Sequence, residues 1–193
     1  KIAKIVECSK VMIKDQKAAY DAVDYLIKKG YKKIAHFRGA YIPQNSIDRF
    51  LGYKKALEDN QIEYNPSLVY DCDNNNDFED GYENAKKLII ENPEVDAIFA
   101  VTDLVAIGII KYFNEIGISI PNQIAVLGFS NWFISNVISP TLSTIDQPGF
   151  EMGKKSAEIL FNEIDLKNQS SGVYTINIIT DKKIKYSTKV IKE

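Results

Sequence analysis

The sequence predicts an α/β protein whose parallel sheet is covered by helices on both faces. Three observations support this prediction. Apolar residues make up 45% of the 193-residue chain, which is enough for a packed core. Short apolar runs rich in branched residues alternate with amphipathic stretches about four times along the chain. The connections are only a few residues long, as in βαβ units, which place parallel strands side by side.

The predicted elements follow one another in a regular order. The first is a helix over AAYDAVDYLIKK (18–29), which is apolar on one face and is followed by Gly30. The predicted strands are IAHF (34–37), SLVYDC (67–72), DAIFAV (96–101) and IAVL (124–127). Between them, one helix begins near Ile47, a second carries Tyr82, Ala85, Leu88 and Ile89, and a third covers LVAIGIIKYFNEIG (104–117). The alternation breaks after Trp132, and a helix over about 149–164 and strands over 173–180 and 183–190 come last.

Charge and motifs exclude several classes of function. The formal charge is −2 and the sequence pI is 5.6, so no overall basic field attracts nucleic acid. The single histidine, His36, lies inside a predicted strand, which favours a structural role over catalysis. The sequence has no GxSxG or GxGxxG motif, no Walker loop and no metal-ligand spacing. We therefore expect no enzyme activity, no cofactor and no metal site.

Cysteine usage and hydropathy point to a cytoplasmic protein without a membrane partner. Cys8 and Cys72 have no CxxC spacing, which is typical of cytosolic proteins, and the sequence leaves a disulfide between them open. No apolar run approaches the roughly 18 residues of a membrane span, and no signal peptide is recognisable. The chain opens on KIAKIVECSK without a methionine, so we expect it to be a fragment of a longer protein.

Polar groups follow the carboxyl ends of three predicted strands, where ligands bind in open parallel sheets. These groups are Arg38-Gly39, Thr102-Asp103 and Ser130-Asn131-Trp132. The sequence therefore predicts a ligand crevice along this edge. The indole of Trp132 has two interpretations, since it can cap the core or stack on the face of a sugar ring.

Two charged residues near this edge are candidate ligand contacts. Asp103 precedes an apolar helix, so it either caps the helix N-terminus or contacts a ligand, and Thr102 is a weaker candidate for the cap. Arg49 falls near the predicted start of another helix, where a cation is mildly unfavourable. Its planar fork can hold hydroxyls or a carboxylate, which makes it a functional candidate.

The chain resembles the ligand-binding core of LacI/GalR-type transcriptional regulators from about residue 11 to about 190. The segments that carry the resemblance are YLIKKGYKKIAHFRG, SIDRFLGYKKAL, DGYENAKKLI, DAIFAVTDLVAIGIIKYFNEIGISIPNQIAVLGFSN and SPTLSTIDQPGFEMGKKSAEIL. The resemblance implies a type I periplasmic-binding-protein-like fold of two Rossmann-like subdomains, joined by three crossovers, with an effector bound between them. Mapped here, the N-terminal subdomain holds 1–39 and 146–170 and is incomplete, and the C-terminal subdomain holds 40–145 and 171–193.

The resemblance also implies roles for individual residues. Arg49 matches the arginine that grips the effector, and Thr102 and Ser130 replace an asparagine and an aspartate that usually contact it, which puts a plain sugar effector in doubt. Asn76 stands where an aromatic ring often stacks, and Phe78 is a substitute two residues on. Together with Asp103, Asn131 and Trp132 these residues are the predicted ligand site. Ile107 and Ile138 match positions in a homodimer interface.

The predicted function is the effector-sensing core of a LacI/GalR-type regulator. It would bind a carbohydrate-like small molecule and control operator binding allosterically, through a DNA-reading headpiece that is absent from this chain. The alternative is a periplasmic solute-binding protein of an ABC transporter, which shares the fold. Arg49→Ala is expected to abolish effector binding and to leave the fold intact.

Overall fold

The computed structural model describes residues 9–72, 77–163, 170–180 and 183–192, which form two compact units. The larger unit runs from Met12 to Pro148. The smaller unit comprises Ser9–Val11 and the described part of Gly149–Glu193. Cys8, Asn76 and the turn at 181–182 lie outside the described residues, so the questions raised about them stay open.

The larger unit alternates helices and strands. In chain order its elements are α1 (Asp15–Lys28), β1 (Ile34–Gly39), α2 (Gln44–Asp59), β2 (Val69–Cys72), α3 (Phe78–Glu91), β3 (Ala97–Ala100), α4 (Asp103–Glu115), β4 (Ala125–Ser130) and β5 (Ser143–Asp146). Short 3₁₀ turns precede β2 at Pro66–Leu68 and follow β4 at Phe133–Asn136. The smaller unit holds helix α5 (Gly149–Glu163) and an antiparallel pair, β6 (Gly172–Thr180) and β7 (Lys183–Lys192).

The five strands of the larger unit form one parallel sheet in the order β2-β1-β3-β4-β5. One core cluster joins the sheet to α1 and α2, and the other joins it to α3 and α4, so helices cover both faces. All six residues of β1 are buried, because this strand is central and covered on both sides. The order reverses between β1 and β3, and such a switch point is where an open sheet forms a ligand crevice.

The predicted α/β class, parallel sheet and helical layers are confirmed. The four predicted strands and the final two strands are present, and β5 is an addition that the sequence did not reveal. Helix α2 begins at Gln44 rather than near Ile47, so Arg49 lies in its second turn and not at its start. The argument that Arg49 opposes the positive helix end is therefore wrong.

The predicted division into subdomains needs correction. Residues 1–39 were assigned to a different subdomain from 40–145, but β1 pairs with β2 on one side and with β3 on the other. A central strand cannot belong to another sheet. The range 171–193, assigned to the same subdomain as 40–145, groups instead with α5 in the smaller unit.

Candidate functional site

Arg49 is the most constrained cation at the carboxyl edge of the sheet. Its Nε donates to Asp15 Oδ1 at 2.8 Å, its Nη2 lies 2.8 Å from the same oxygen, and its Nη1 donates to the carbonyl of Val101 at 2.6 Å. The guanidinium carbon lies 3.6 Å from the centre of the Phe129 ring. Arg49 thereby joins α1, α2 and the ends of β3 and β4, although it is itself only 3% exposed.

Burial dominates the electrostatics of this ion pair. Desolvation raises the pKa of the Asp15 carboxyl, and the attraction of Arg49 offsets this only in part. Desolvation likewise lowers the pKa of Arg49, against the attraction of Asp15 and Asp103. Both charged forms are therefore held at a cost, as is common for buried salt bridges.

Asp103 ties the end of β3 to the segment that follows β4. Its Oδ2 accepts from the backbone N–H of Trp132 at 2.7 Å, and its Oδ1 accepts from the hydroxyl of Thr144 on β5. Asp103 is not the helix cap, because Thr102 is the N-cap of α4 and its hydroxyl accepts from the Val105 N–H at 3.2 Å. The interpretation of Asp103 as a cap is therefore wrong, and its buried carboxylate serves the loop instead.

Gly128 makes room for the Asp103 carboxylate. A Cβ atom at this position of β4 would lie 2.4 Å from Asp103 Oδ1, which is closer than a Cβ atom approaches a non-bonded oxygen. The small residue in the apolar run IAVLGF is therefore required by the neighbouring charged group.

The backbone is strained where β4 ends. Ser130 and Asn131 have φ angles of 139° and 50°, a region that residues other than glycine rarely adopt. Asn131 is held there, since its N–H donates to Thr144 Oγ1 at 3.2 Å and its Nδ2 donates to Asp146 Oδ1 at 2.9 Å. Strain that surrounding bonds hold in place is typical of functional sites. The indole of Trp132, fixed through its backbone, stays 47% exposed.

These bonds form two groups, one around Arg49 and one around Asp103, which meet where β3 and β4 end. We call the residues of both groups, with Thr102 and Ser130 between them in the chain, the Arg49 cluster; it comprises Asp15, Arg49, Val101, Thr102, Asp103, Phe129, Ser130, Asn131, Trp132, Thr144 and Asp146. It brings together six of the seven residues predicted to contact a ligand. The exception is Phe78, which is the first residue of α3 and stacks on Tyr82 with ring centres 6.1 Å apart. The remaining five members of the cluster were not predicted: Asp15, Val101, Phe129, Thr144 and Asp146.

The segment that holds the predicted interface residue Ile138 lies against helix α4, which holds the other one, Ile107. Ile107 is half-buried on α4, and Ile138 is half-buried in the segment before β5. The side chain of Asn114 on α4 donates to the Ser139 carbonyl at 2.9 Å, which fixes that segment next to the helix.

His36 lies behind the edge as a core residue. Its ring is fully buried and stacks on Tyr53 and Phe99 with ring centres 5.0 and 4.9 Å away. Nδ1 lies 2.9 Å from the Phe99 carbonyl and must carry the proton, while Nε2 has no hydrogen-bond partner among the described residues. Burial lowers the pKa of His36 to about 3, so the ring is neutral at physiological pH.

A doubly wound parallel sheet with buried charges and a strained loop at its carboxyl edge defines an α/β ligand-binding domain. Residues 23–180 match the model of a family described as periplasmic binding protein-like domain. The chain belongs to this family and represents the LacI/GalR-type ligand-binding core.

Named relatives support this placement. The HTH-type transcriptional regulator RegA of Clostridium acetobutylicum is 39% identical over 158 residues, which cover 80% of this chain and 46% of that protein. A LacI family regulator from Enterococcus faecium, solved with bound ribose, has a TM-score of 0.71 and 29% identity, over 81% of this chain and 57% of that one. The CelR regulator–cellobiose complex has a TM-score of 0.73 and 27% identity, over 78% of this chain and 45% of that one.

The chain spans about half the length of the curated relatives it matches. Those relatives are named as transcriptional repressors or regulators, which agrees with the prediction that the chain is not an enzyme and gives less support to a transporter-linked solute-binding protein. In the part of the chain that the structure describes, no helix has the length and apolar character to cross a membrane.

Proposed function

We propose that this chain is the effector-sensing core of a LacI/GalR-type DNA-binding regulator and that its effector is carbohydrate-like. The observation that carries the proposal is the Arg49 cluster at the carboxyl edge. It holds the buried charges Asp15, Arg49 and Asp103 and a strained segment in one place. Apolar residues would pack this edge at a lower free-energy cost than buried charges and a strained backbone do. The presence of both features therefore indicates a binding role.

The chemistry of the cluster suits hydroxyl groups. Arg49 and the side chain of Asn131 can donate hydrogen bonds, and the carboxylates of Asp103 and Asp146 can accept them. The half-exposed indole of Trp132 offers a flat apolar surface for the C–H face of a sugar ring. The bound ribose and cellobiose named for two similar regulators support the same ligand class.

The proposed mechanism is a shift between two populated conformations. An effector that contacts the Arg49 cluster favours the arrangement in which it binds more tightly, and it can shift the equilibrium only by that difference in affinity. Operator binding would be performed by a headpiece in the part of a regulator that this chain does not cover. We further propose a homodimer through Ile107 and Ile138, working in the cytoplasm where the DNA lies.

Fluorescence of the single tryptophan tests the effector proposal. Titration with ribose, cellobiose and a wider sugar panel should give a saturable change in the emission of Trp132 for at least one sugar, because the exposed indole becomes covered. Asp103→Asn should lower the affinity for that sugar at least tenfold. The reason is that the substitution weakens the charge-assisted bond that holds the Trp132 N–H in place.

Asp21→Asn is the matched control, because Asp21 is an exposed carboxylate on α1 that forms an ion pair with Lys17 on the same helix. It should bind like the parent chain. The absence of any sugar response, or equal responses from both variants, would contradict the proposed site.

A further inference from the structure

Tyr41 is an exposed ring held in a fixed orientation. It lies in the loop between β1 and α2 and is 59% exposed. Its hydroxyl donates to Asp71 Oδ2 at 2.9 Å, and the Arg38 guanidinium carbon lies 3.8 Å from its ring centre. Arg38 in turn lies 4.3 Å from the ring centre of Phe50 on α2. Most exposed loop side chains are free to rotate, whereas this one is fixed from two sides.

Arg38 and Asp71 keep hydrogen-bonding capacity beside this ring. Arg38 is 5% exposed, and its Nε donates to the Gly39 carbonyl at 3.3 Å. Its Nη groups have no hydrogen-bond partner among the residues that the structure describes. Asp71 Oδ1 lies 3.8 Å from Arg38 Nε, which is too far for a hydrogen bond. The ring therefore has open donors and an open acceptor next to it.

The surroundings select against an anionic ligand. Asp71 lines a groove of about 370 Å³ that is shared with four more carboxylates and one lysine. These groups are Asp77, Glu79, Asp80, Glu83 and Lys87. An excess of carboxylates repels phosphate or carboxylate groups. A neutral polyol can instead donate to Asp71, accept from Arg38 and stack its apolar face on Tyr41.

Arg38, Tyr41 and Asp71 lie at some distance from Trp132, the member of the Arg49 cluster that offers a stacking surface. Arg38 lies on β1 and Asp71 on β2, whereas Asp103 follows β3 and Trp132 follows β4. Two strand spacings separate β1 from β4, or about 10 Å. A sugar ring that stacks on Trp132 is too small to reach Tyr41 and Asp71 as well, but two linked rings can span this distance. Helix α2 supports both, through the adjacent residues Arg49 and Phe50.

We propose that Arg38, Tyr41 and Asp71 form a second sugar subsite, so that this chain selects a disaccharide or longer carbohydrate over a monosaccharide. The inference rests on the proposed function, since it assumes that a first ring contacts the Arg49 cluster. Tyr41 is then the residue that determines specificity for ligand length.

NMR chemical-shift titration of the chain tests this inference. The probes are cellobiose, maltose, lactose and sucrose, each compared with its constituent monosaccharides. At least one disaccharide should bind tenfold or more tightly than its monosaccharides. Tyr41→Ala should lower the affinity for that disaccharide about tenfold, because the stacking surface is lost. It should change the affinity for the monosaccharides less than twofold. Tyr41→Phe, which keeps the ring, should retain most of the preference.

Tyr25→Ala is the matched control, because Tyr25 is a 51% exposed ring on α1 with Lys29 Nζ 5.5 Å from its centre. It should leave both affinities unchanged. Equal affinity for mono- and disaccharides, or an unchanged disaccharide affinity in Tyr41→Ala, would overturn the second subsite and leave the proposed function standing. Failure of every sugar to bind would overturn both.

Discussion

Arg49 has two roles that its substitution will not separate cleanly. It is a candidate contact for the effector, and it is also the only side chain that the structure shows paired with the buried carboxylate of Asp15. Removing one member of a buried ion pair leaves the other charge uncompensated in a medium of low dielectric. The geometry therefore revises the expectation that Arg49→Ala leaves the fold intact.

We predict that Arg49→Ala lowers the free energy of unfolding by about 3–5 kcal/mol, because Asp15 loses its partner. Urea denaturation followed by circular dichroism measures this change. The double variant Asp15→Leu/Arg49→Met should recover most of the loss, since neither charge remains buried. A loss below about 1 kcal/mol in the single variant would show that Asp15 is solvated or neutral in the folded state.

His36 predicts an acid-sensitive fold. Its pKa is lowered to about 3 by burial, against an ordinary value of 6.5, so below pH 6.5 the unfolded chain takes up a proton that the folded chain does not. Stability is therefore complete above pH 6.5 and falls as the pH decreases towards about 3. When the pH is lowered from 7.5 to 5, the histidine lowers the free energy of unfolding by about 2 kcal/mol.

The comparison variant is His36→Phe, which keeps a stacked ring and removes the titrating group. Urea denaturation at the two pH values measures how far the free energy of unfolding falls on acidification. This decrease should be about 2 kcal/mol smaller in the variant than in the parent chain. Equal losses would mean that His36 does not stay neutral in the folded protein.

Individual site residues could be predicted from the sequence only when their position along a strand identified them. Arg38, Asp103 and Trp132 follow apolar runs within three residues, and the parallel-sheet rule places such residues at the carboxyl edge. Asp15 was missed because nothing near α1 marks it as a partner of a residue 34 positions away. Tyr41 was missed because its orientation depends on Asp71, which belongs to another strand.

Helix pairs in this protein pack at contacts where only glycine fits. A Cβ on Gly108 of α4 would lie 2.0 Å from the Phe78 carbonyl, and one on Gly81 of α3 would lie 2.0 Å from the Val105 carbonyl. The pair α1–α2 has the same feature at Gly52, 2.3 Å from the Gln16 carbonyl. Because the opposing atoms are backbone, no side-chain rotation can make room. These contacts set how closely the helices approach.

Gly108→Ala should therefore lower the free energy of unfolding of the larger unit by about 1–3 kcal/mol, although alanine is the better helix former. Gly153→Ala on α5 is the control, because nothing lies within 4 Å of its Cβ position, and it should be neutral or stabilising by up to about 1 kcal/mol. Thermal unfolding of the two variants separates the effects. A stable Gly108→Ala protein would show that α3 and α4 can move apart at little cost.

Periodicity predicted the helices and the central strands, but it did not predict these close contacts or β5. Strand β5 is four residues long, and its burial pattern mixes exposed and half-buried positions, so no apolar run marks it. It pairs with β4 at the edge of the sheet, where the register is set by neighbouring strands rather than by its own hydrophobicity. The subdomain boundary at residue 39 was wrong for a related reason, since strand order is decided by pairing and not by position in the chain.

At the scale of the whole molecule, α4 carries more apolar surface than its own sheet can cover. Ile109, Ile110 and Phe113 are buried in the core, whereas Leu104 and Ile107 are only half-buried. Leu104 and Ile107 form the remaining stripe, and the segment of Ile138 lies beside the same helix.

A symmetric partner can cover this stripe with an identical one, which predicts a homodimer through α4. Ile107→Asp should convert the dimer to monomers, because the buried charge occurs twice per interface and each copy costs several kcal/mol when unpaired. Ile90→Asp is the matched control, since Ile90 is an isoleucine on α3 that is 81% exposed and not part of the stripe. Sedimentation velocity over a range of protein concentrations distinguishes the species. Identical sedimentation of the parent chain and Ile107→Asp would remove Ile107 from the interface, and dissociation by Ile90→Asp alone would place the interface on α3.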